Sequence, residues 1–92
     1  MGLSVRLPEL FKGIDVRLPP RAEEVDVRSL AVDSRKVGAG ALFAALKGVA
    51  ADGAEFAPQA VKGGAAAVLS DRELEVAPAA LVLARDPRRA FA

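Results

Sequence analysis

Neither histidine nor cysteine occurs in the 92 residues of this chain, and the two absences narrow its chemistry at once. Without cysteine there is no disulfide framework, no thiolate zinc site and no thiol nucleophile, a composition that suits a reducing cytoplasm. Without histidine the usual general base near neutral pH is missing, so a metal site would need carboxylates alone. The one tight acidic group, Glu23-Glu24-Asp26, reads as a solvated turn. Catalysis by this chain alone is therefore not expected, and no catalytic residue, metal ligand or cofactor is assigned to it. Charge of one sign is lacking as well. Thirteen Lys and Arg against twelve Asp and Glu leave a net charge of +1, and the basic residues are scattered. That balance gives no electrostatic reason to expect nucleic acid or an anionic membrane as partner. No stretch approaches the roughly 20 apolar residues of a spanning helix. Met1 to Lys12 holds Pro8 and Glu9 within its short apolar pattern, which does not fit a secretory signal. The expected location is the cytoplasm.

A chain of this length makes one small domain that buries roughly 60 to 65% of its extended surface, enough for one modest core. Leu7, Leu10 and Phe11 stand at helical spacing, with Pro8 in a tolerated first-turn position and Gly13 as a stop. Ile14 to Leu18 can be extended until Pro19-Pro20 ends it, and Arg21 to Glu24 reads as a surface connection. Val25 and Val27 alternate as in a strand, but Leu30 and Val32 fall on the opposite parity, so a bend or bulge is expected near Arg28-Ser29. After a turn at Gly38-Ala39-Gly40, Ala41 to Leu46 reads as a strand buried on both faces. Lys47 to Gly53 is a loop, and Ala54 to Lys62 a helix with Phe56, Ala60 and Val61 toward the sheet and Gly63 at its end. Ala65 to Leu69 and Ala80 to Ala84 read as further strands, joined by the polar segment Asp71 to Glu75. The expected fold class is α/β, a small mixed or mostly parallel sheet flanked by helices. Residues 1–85 form the domain; at 86–92, Asp86 caps and Pro87 opens a helix too short to stand alone, which reads as a truncation inside an element.

Two places carry candidate chemistry. Asp33-Ser34-Arg35 lies where a strand runs out into a loop, a position at which α/β sheets receive ligands. The plainer reading is a turn in which Asp33 pairs with Arg35 or accepts backbone hydrogen bonds. Gly48-Val49-Ala50-Ala51-Asp52-Gly53 has glycines that let backbone N–H groups approach a phosphate or a base, and small side chains that leave room for it. It is not a P-loop, since Ala54-Glu55 stands where Lys and Ser or Thr are required. The plainer reading here is a strand-to-helix loop that turns at Asp52-Gly53. Gly63-Gly64 is assigned to helix termination and close packing, not to a ligand.

These segments form one ordered signature: Val32-Asp33-Ser34-Arg35-Lys36-Val37, Leu42-Phe43-Ala44-Ala45-Leu46-Lys47-Gly48, Asp52-Gly53, Phe56, Gln59-Ala60 and Gly63-Gly64-Ala65-Ala66-Ala67-Val68. In residue type and order it resembles the N-terminal domain of the Mur ligases, most closely the MurE type. The resemblance implies a domain that binds the UDP portion of UDP-N-acetylmuramoyl-L-Ala-D-Glu, while the adjoining central and C-terminal domains use ATP and magnesium to add the third amino acid of the cell-wall peptide stem. It further implies that Val32 and Ser34 contact the UDP portion, and that the loop Gly48, Val49, Ala50, Ala51, Asp52 and Gly53 lies beside the nucleotide. Relatives often carry polar side chains at 49 to 51, so the apolar Val49-Ala50-Ala51 points to backbone contacts instead. Ala54 and Ala41 stand where relatives often carry histidine and aspartate, so roles of those side chains do not carry over. Two other readings stay open: the MurF-type sibling, which adds D-alanyl-D-alanine and commonly has threonine at the position of Ser34, and a free-standing nucleotide-sugar-binding module.

Overall fold

A computed structural model of the chain describes residues 4–45, 53–77 and 79–85. The elements are short. In chain order they are β1 (Val5–Arg6), α1 (Leu7–Leu10), β2 (Val16–Arg17), β3 (Asp26–Val27), β4 (Ser29–Ala31), β5 (Ala41–Ala44), α2 (Ala57–Lys62), β6 (Ala67–Ser70) and β7 (Ala80–Ala84). Single turns of 3-10 helix cover Ala22–Glu24, Ser34–Lys36 and Gly53–Phe56.

Five strands form the main sheet in the order β2-β7-β6-β5-β4, with β4, β5, β6 and β7 mutually parallel and β2 antiparallel to β7 at the far edge. β1 and β3 pair separately, Val5 opposite Val27. The expected α/β class with a mostly parallel sheet is therefore the observed one. β5 and β6 are buried at every position, as continuous apolar runs in central parallel strands should be.

The expected break near Arg28-Ser29 is present and does more than kink a strand. β3 leaves for the small sheet and β4 joins the large one, while the Arg28 N–H donates to Gly40 O at 2.8 Å. The parity change between Val27 and Leu30 thus reflects two sheets, not one bent strand.

The expected single core is split by the sheet into two apolar clusters. Leu42, Ala44, Ala67, Leu69, Val82 and Ala84 face Leu7, Phe11, Ala22 and Val27. The alternate residues Phe43, Ala45 and Val68 face Ala57 and Ala60 of α2, with Ala65 and Val76. The period of two sends neighbours in each strand to opposite faces, and alanine on α2 lets the helix lie close to the sheet.

Several boundaries differ from the sequence reading. The first helix ends at Leu10, with Phe11 capping it, and the extended segment expected over Ile14 to Leu18 is only Val16–Arg17. The strand expected at Ala65 begins at Ala67. The helix expected from Ala54 opens as 3-10 over Gly53–Phe56 before α2 proper, with Pro58 in its first turn. That opening matters for Phe56: three residues per turn instead of 3.6 rotate it off the face shared by Ala57 and Ala60, and Phe56 is 41% exposed, not anchored on the sheet. Leu46 and the helix start at 86–92 lie outside the described residues.

Candidate functional site

All four parallel strands run the same way, so the C-terminal ends of β4, β5, β6 and β7 lie along one rim of the sheet. At the β4 corner of that rim the chain passes Val32 and Asp33 and turns tightly through Ser34–Lys36. Asp33 organises the turn. Its carboxylate accepts from the Arg35 backbone N–H at 2.9 Å and from Arg35 Nε and Nη2 at 3.1 and 3.0 Å, and its carbonyl accepts from the Lys36 N–H at 2.9 Å. The side-chain hydrogen bond from Arg35, followed by the backbone one, holds the Asp33 carboxyl at about 2, below its ordinary 3.8, and the same pairing raises Arg35. The turn reading of Asp33 and Arg35 is thus the observed geometry.

Ser34 does something else. Its side chain is buried to 8% exposure, and its hydroxyl donates to Gln59 Oε1 on α2 at 3.0 Å. Gln59 comes one helical step after Phe56, so the two flank the same stretch of the turn. Val32, Asp33, Ser34, Arg35, Phe56 and Gln59 together line a groove of about 410 Å³. Val32, at 55% exposure, and Phe56 supply its apolar sides, and its polar groups are the Ser34–Gln59 pair and the Asp33–Arg35 ion pair. The one guanidinium there, Arg35, is already matched by the Asp33 carboxylate.

Of the residues singled out from the sequence, the structure brings Val32 and Ser34 onto this groove. Gly53 opens the 3-10 turn that leads to α2. Gly48, Val49, Ala50, Ala51 and Asp52 lie outside the described residues; they connect Ala45, at the end of β5, to Gly53. Two groove residues were missed by the sequence reading. Phe56 was placed in the core, and Gln59 had no role, although a lone amide between the buried Ala57 and Ala60 marks where α2 turns away from the sheet.

A second, more open depression of about 680 Å³ lies beside β2 and the ends of β6 and β7. Its charges are mixed, Arg17, Arg72 and Arg85 against Asp15, Asp71 and Glu73, so it has no selectivity for either sign. The residues of this chain do not fit ATP and magnesium: Gly48 to Glu55 lacks the Lys and Ser or Thr of a P-loop, and among the described residues no three carboxylates converge. No helix of the described residues is long and apolar enough to cross a membrane.

Comparison with known proteins places this geometry in a family. Residues 26–90 match the model of the Mur ligase family, catalytic domain. A UDP-N-acetylmuramoyl-L-alanyl-D-glutamate–2,6-diaminopimelate ligase of Halalkalibacterium halodurans is 48% identical over 67 residues, 73% of this chain and 14% of that protein. The enzyme of the same name from Listeria monocytogenes is 36% identical over 88 residues, 96% of this chain and 18% of its own. In fold, the chain is similar to MurF of Acinetobacter baumannii, with a TM-score of 0.73 and 24% identity over 98% of this chain and 20% of that one. The chain thus spans less than a fifth of the length of these two curated relatives. A family match over residues 26–90, carried on a sheet of the same shape as that of a solved ligase, makes this chain a member of the Mur ligase family, corresponding to its N-terminal domain.

Proposed function

We propose that this chain is the N-terminal domain of a MurE-type ligase and that it binds the UDP portion of UDP-N-acetylmuramoyl-L-Ala-D-Glu, the substrate to which the intact cytoplasmic enzyme adds the third stem amino acid. The observation that carries the reading is the groove at the end of β4, in which Val32 and Ser34 lie together beside α2. The names of the relatives, which are ligases of 2,6-diaminopimelate, support the MurE type over MurF. Val32 and Ser34 contribute to the nucleotide site from the turn, and Gly48, Val49, Ala50, Ala51, Asp52 and Gly53 from the loop after β5, through their backbone. ATP and magnesium belong to the central domain of the intact ligase, and this chain alone performs no ligation. Domain boundaries follow the same reading: residues 1–85 bind substrate, and 86–92 lead toward the ATP-binding domain.

Titration of the 15N-labelled chain with a UDP-N-acetylmuramic acid derivative tests this. Amide shifts concentrated at Val32, Ser34, Gln59 and residues 48–53 are expected. Binding is weak, because one domain supplies part of a pocket that closes between domains. Shifts confined to Leu7 to Gly13 at saturation would remove the groove from the site. An open reading frame that stops at Ala92 would favour the free-standing module; one that continues into a Gly-Thr-Asn-Gly-Lys-Thr-like motif favours the ligase.

A further inference from the structure

The face of the sheet that α2 covers is sealed only in part. Over β5 and β6, Phe43 and Val68 lie under Ala57 and Ala60. Strand register carries the same face outward: Val68 pairs with Leu81, and Leu83 with both Ser70 and Arg17. Opposed residues point to one side and every second residue repeats it, so Leu81, Leu83 and Arg85 of the β7 segment share α2's side with Asp15 and Arg17. Among the described residues no helix lies between β6 and β7, and Leu81 and Leu83 are half-buried where Val82 and Ala84, on the other side, are buried. The open depression beside β2 occupies this uncovered area. Of its charged groups, Asp15, Arg17, Glu73 and Arg85 form no ion pair among the described residues. Half-buried leucines rimmed by unmatched charges of both signs have the make-up of a seat for a peptide segment.

We infer that residues 86–92 of this chain are the occupant: they turn back as a helix over β7 and β2, with Phe91 on Leu83 and Arg88 directed at Asp15 and Glu73. These residues lie outside the described ones, which end at Arg85 in the depression itself. Their sequence, Asp86-Pro87-Arg88-Arg89-Ala90-Phe91-Ala92, carries charges of both signs and one large apolar side chain. The reach agrees. From Pro87 to Phe91 a helix rises about 6 Å, close to the length of two strand residues, so a helix running back along β7 brings Phe91 level with Leu83. Arg88, three residues before Phe91, shares its side of the helix and stands near the level of Arg85 and Asp15, while Arg89 falls on the opposite side. A helix of this length gains its stability from such a contact and not from its own hydrogen bonds. Docked there, the segment fixes the direction in which the polypeptide leaves the sheet. The inference does not depend on what the groove beside Ser34 binds.

NMR of the isotope-labelled 92-residue chain tests this without any substitution. Nuclear Overhauser contacts from the Phe91 ring to the Leu83 methyls, and more weakly to those of Leu81, are expected. Their absence in a chain whose β7 amides are protected from exchange would overturn the docking, and contacts from Phe91 to Val82 or Ala84 would place the segment on the wrong face and overturn it equally. Two charge reversals then test the facing of the helix. Arg88→Glu should lower the ratio of docked to undocked segment roughly 2- to 5-fold, the loss of one largely exposed ion pair, read as Leu83 methyl shifts moving toward their positions in Phe91→Ser. Arg89→Glu, on the outer side, should leave those shifts unchanged. Equal effects of the two reversals would mean that Arg88 does not face Asp15 and Glu73, and would refute the arrangement. Should Arg88→Glu fail to fold, Arg88→Gln removes the charge alone and should move the Leu83 methyls in the same direction; unmoved methyls would count against the pairing.

Discussion

At the scale of single residues, the β4 turn assigns different work to adjacent side chains. Asp33 is structural, and its behaviour with pH follows from its partners. A carboxyl held at about 2 in the folded chain, against 3.8 ordinarily, binds its proton more weakly folded than unfolded. Its contribution to stability is thus complete above about pH 4 and is lost as pH falls toward 2. Following the Asp33 carboxyl carbon by NMR should give a midpoint near 2, and Arg35→Met should return it toward 3.8, since the Arg35 side chain is the largest cause. A midpoint unmoved by Arg35→Met would assign the shift to the backbone alone. Ser34→Ala removes a neutral hydrogen bond and leaves Gln59, which is exposed, free to turn to water. The expected cost in stability is near the low end of about 0.5 to 1.5 kcal/mol, with affinity for the UDP-precursor falling roughly 2- to 13-fold. Intact affinity beside a lowered unfolding midpoint would reduce Ser34 to a strut between the turn and α2. Ser34 and Val32 could be picked out in the sequence because they sit in an ordered signature after a strand. Gln59 could not, because its role depends on a partner 25 residues away that only the packing of α2 supplies.

Among elements, a close joint is the one between the end of α2 and the turn that precedes β5. Gly64 has φ +106°, and a Cβ there would stand 3.0 Å from Ala39 Cα, while its carbonyl accepts from the Gly40 N–H at 2.9 Å. Both the backbone conformation and the space exclude a side chain. Gly64→Ala should cost about 1 to 3 kcal/mol in chemical denaturation. Gly38→Ala, where a Cβ meets nothing within 4 Å, is the neutral control. Equal midpoints for the two would mean that the α2–β5 joint yields easily. The sequence marked Gly63-Gly64 as structural, and that reading is the one the geometry supports. The apolar run Ala41 to Ala44 was legible because burial on both faces leaves a continuous pattern, and Ala80 to Ala84 is equally continuous although only Val82 and Ala84 in it are fully buried. β1, β2 and β3 have two residues each, too few to show any period, and the 3-10 opening before α2 mimics the start of a regular helix. Those are the places where boundaries and the facing of Phe56 went astray.

On the scale of the whole molecule, the sheet depends on its last strand. β7 lies between β6 and β2, so it supplies partners on both edges, and its Val82 and Ala84 belong to the larger apolar cluster. A chain ended at Leu74 should lose cooperative unfolding and hydrogen-exchange protection throughout β5 and β6, not merely fray locally. Protection of Leu42 to Ala44 and Ala67 to Ser70 retained in that truncated chain would show that the three remaining parallel strands suffice.

The pairing of β2 with β7 also fixes an order of events during synthesis. Val16 waits for Ala84, and Arg17 for Leu83, so β2 has no partner until β3, β4, β5 and β6 have all been translated. Until then, a growing chain exposes the β2 backbone and the apolar face of β6 together. The nascent polypeptide is therefore most open to misassociation just before its sheet closes. The arrival of β7 at the ribosome exit is thus the step on which closure of the whole sheet depends.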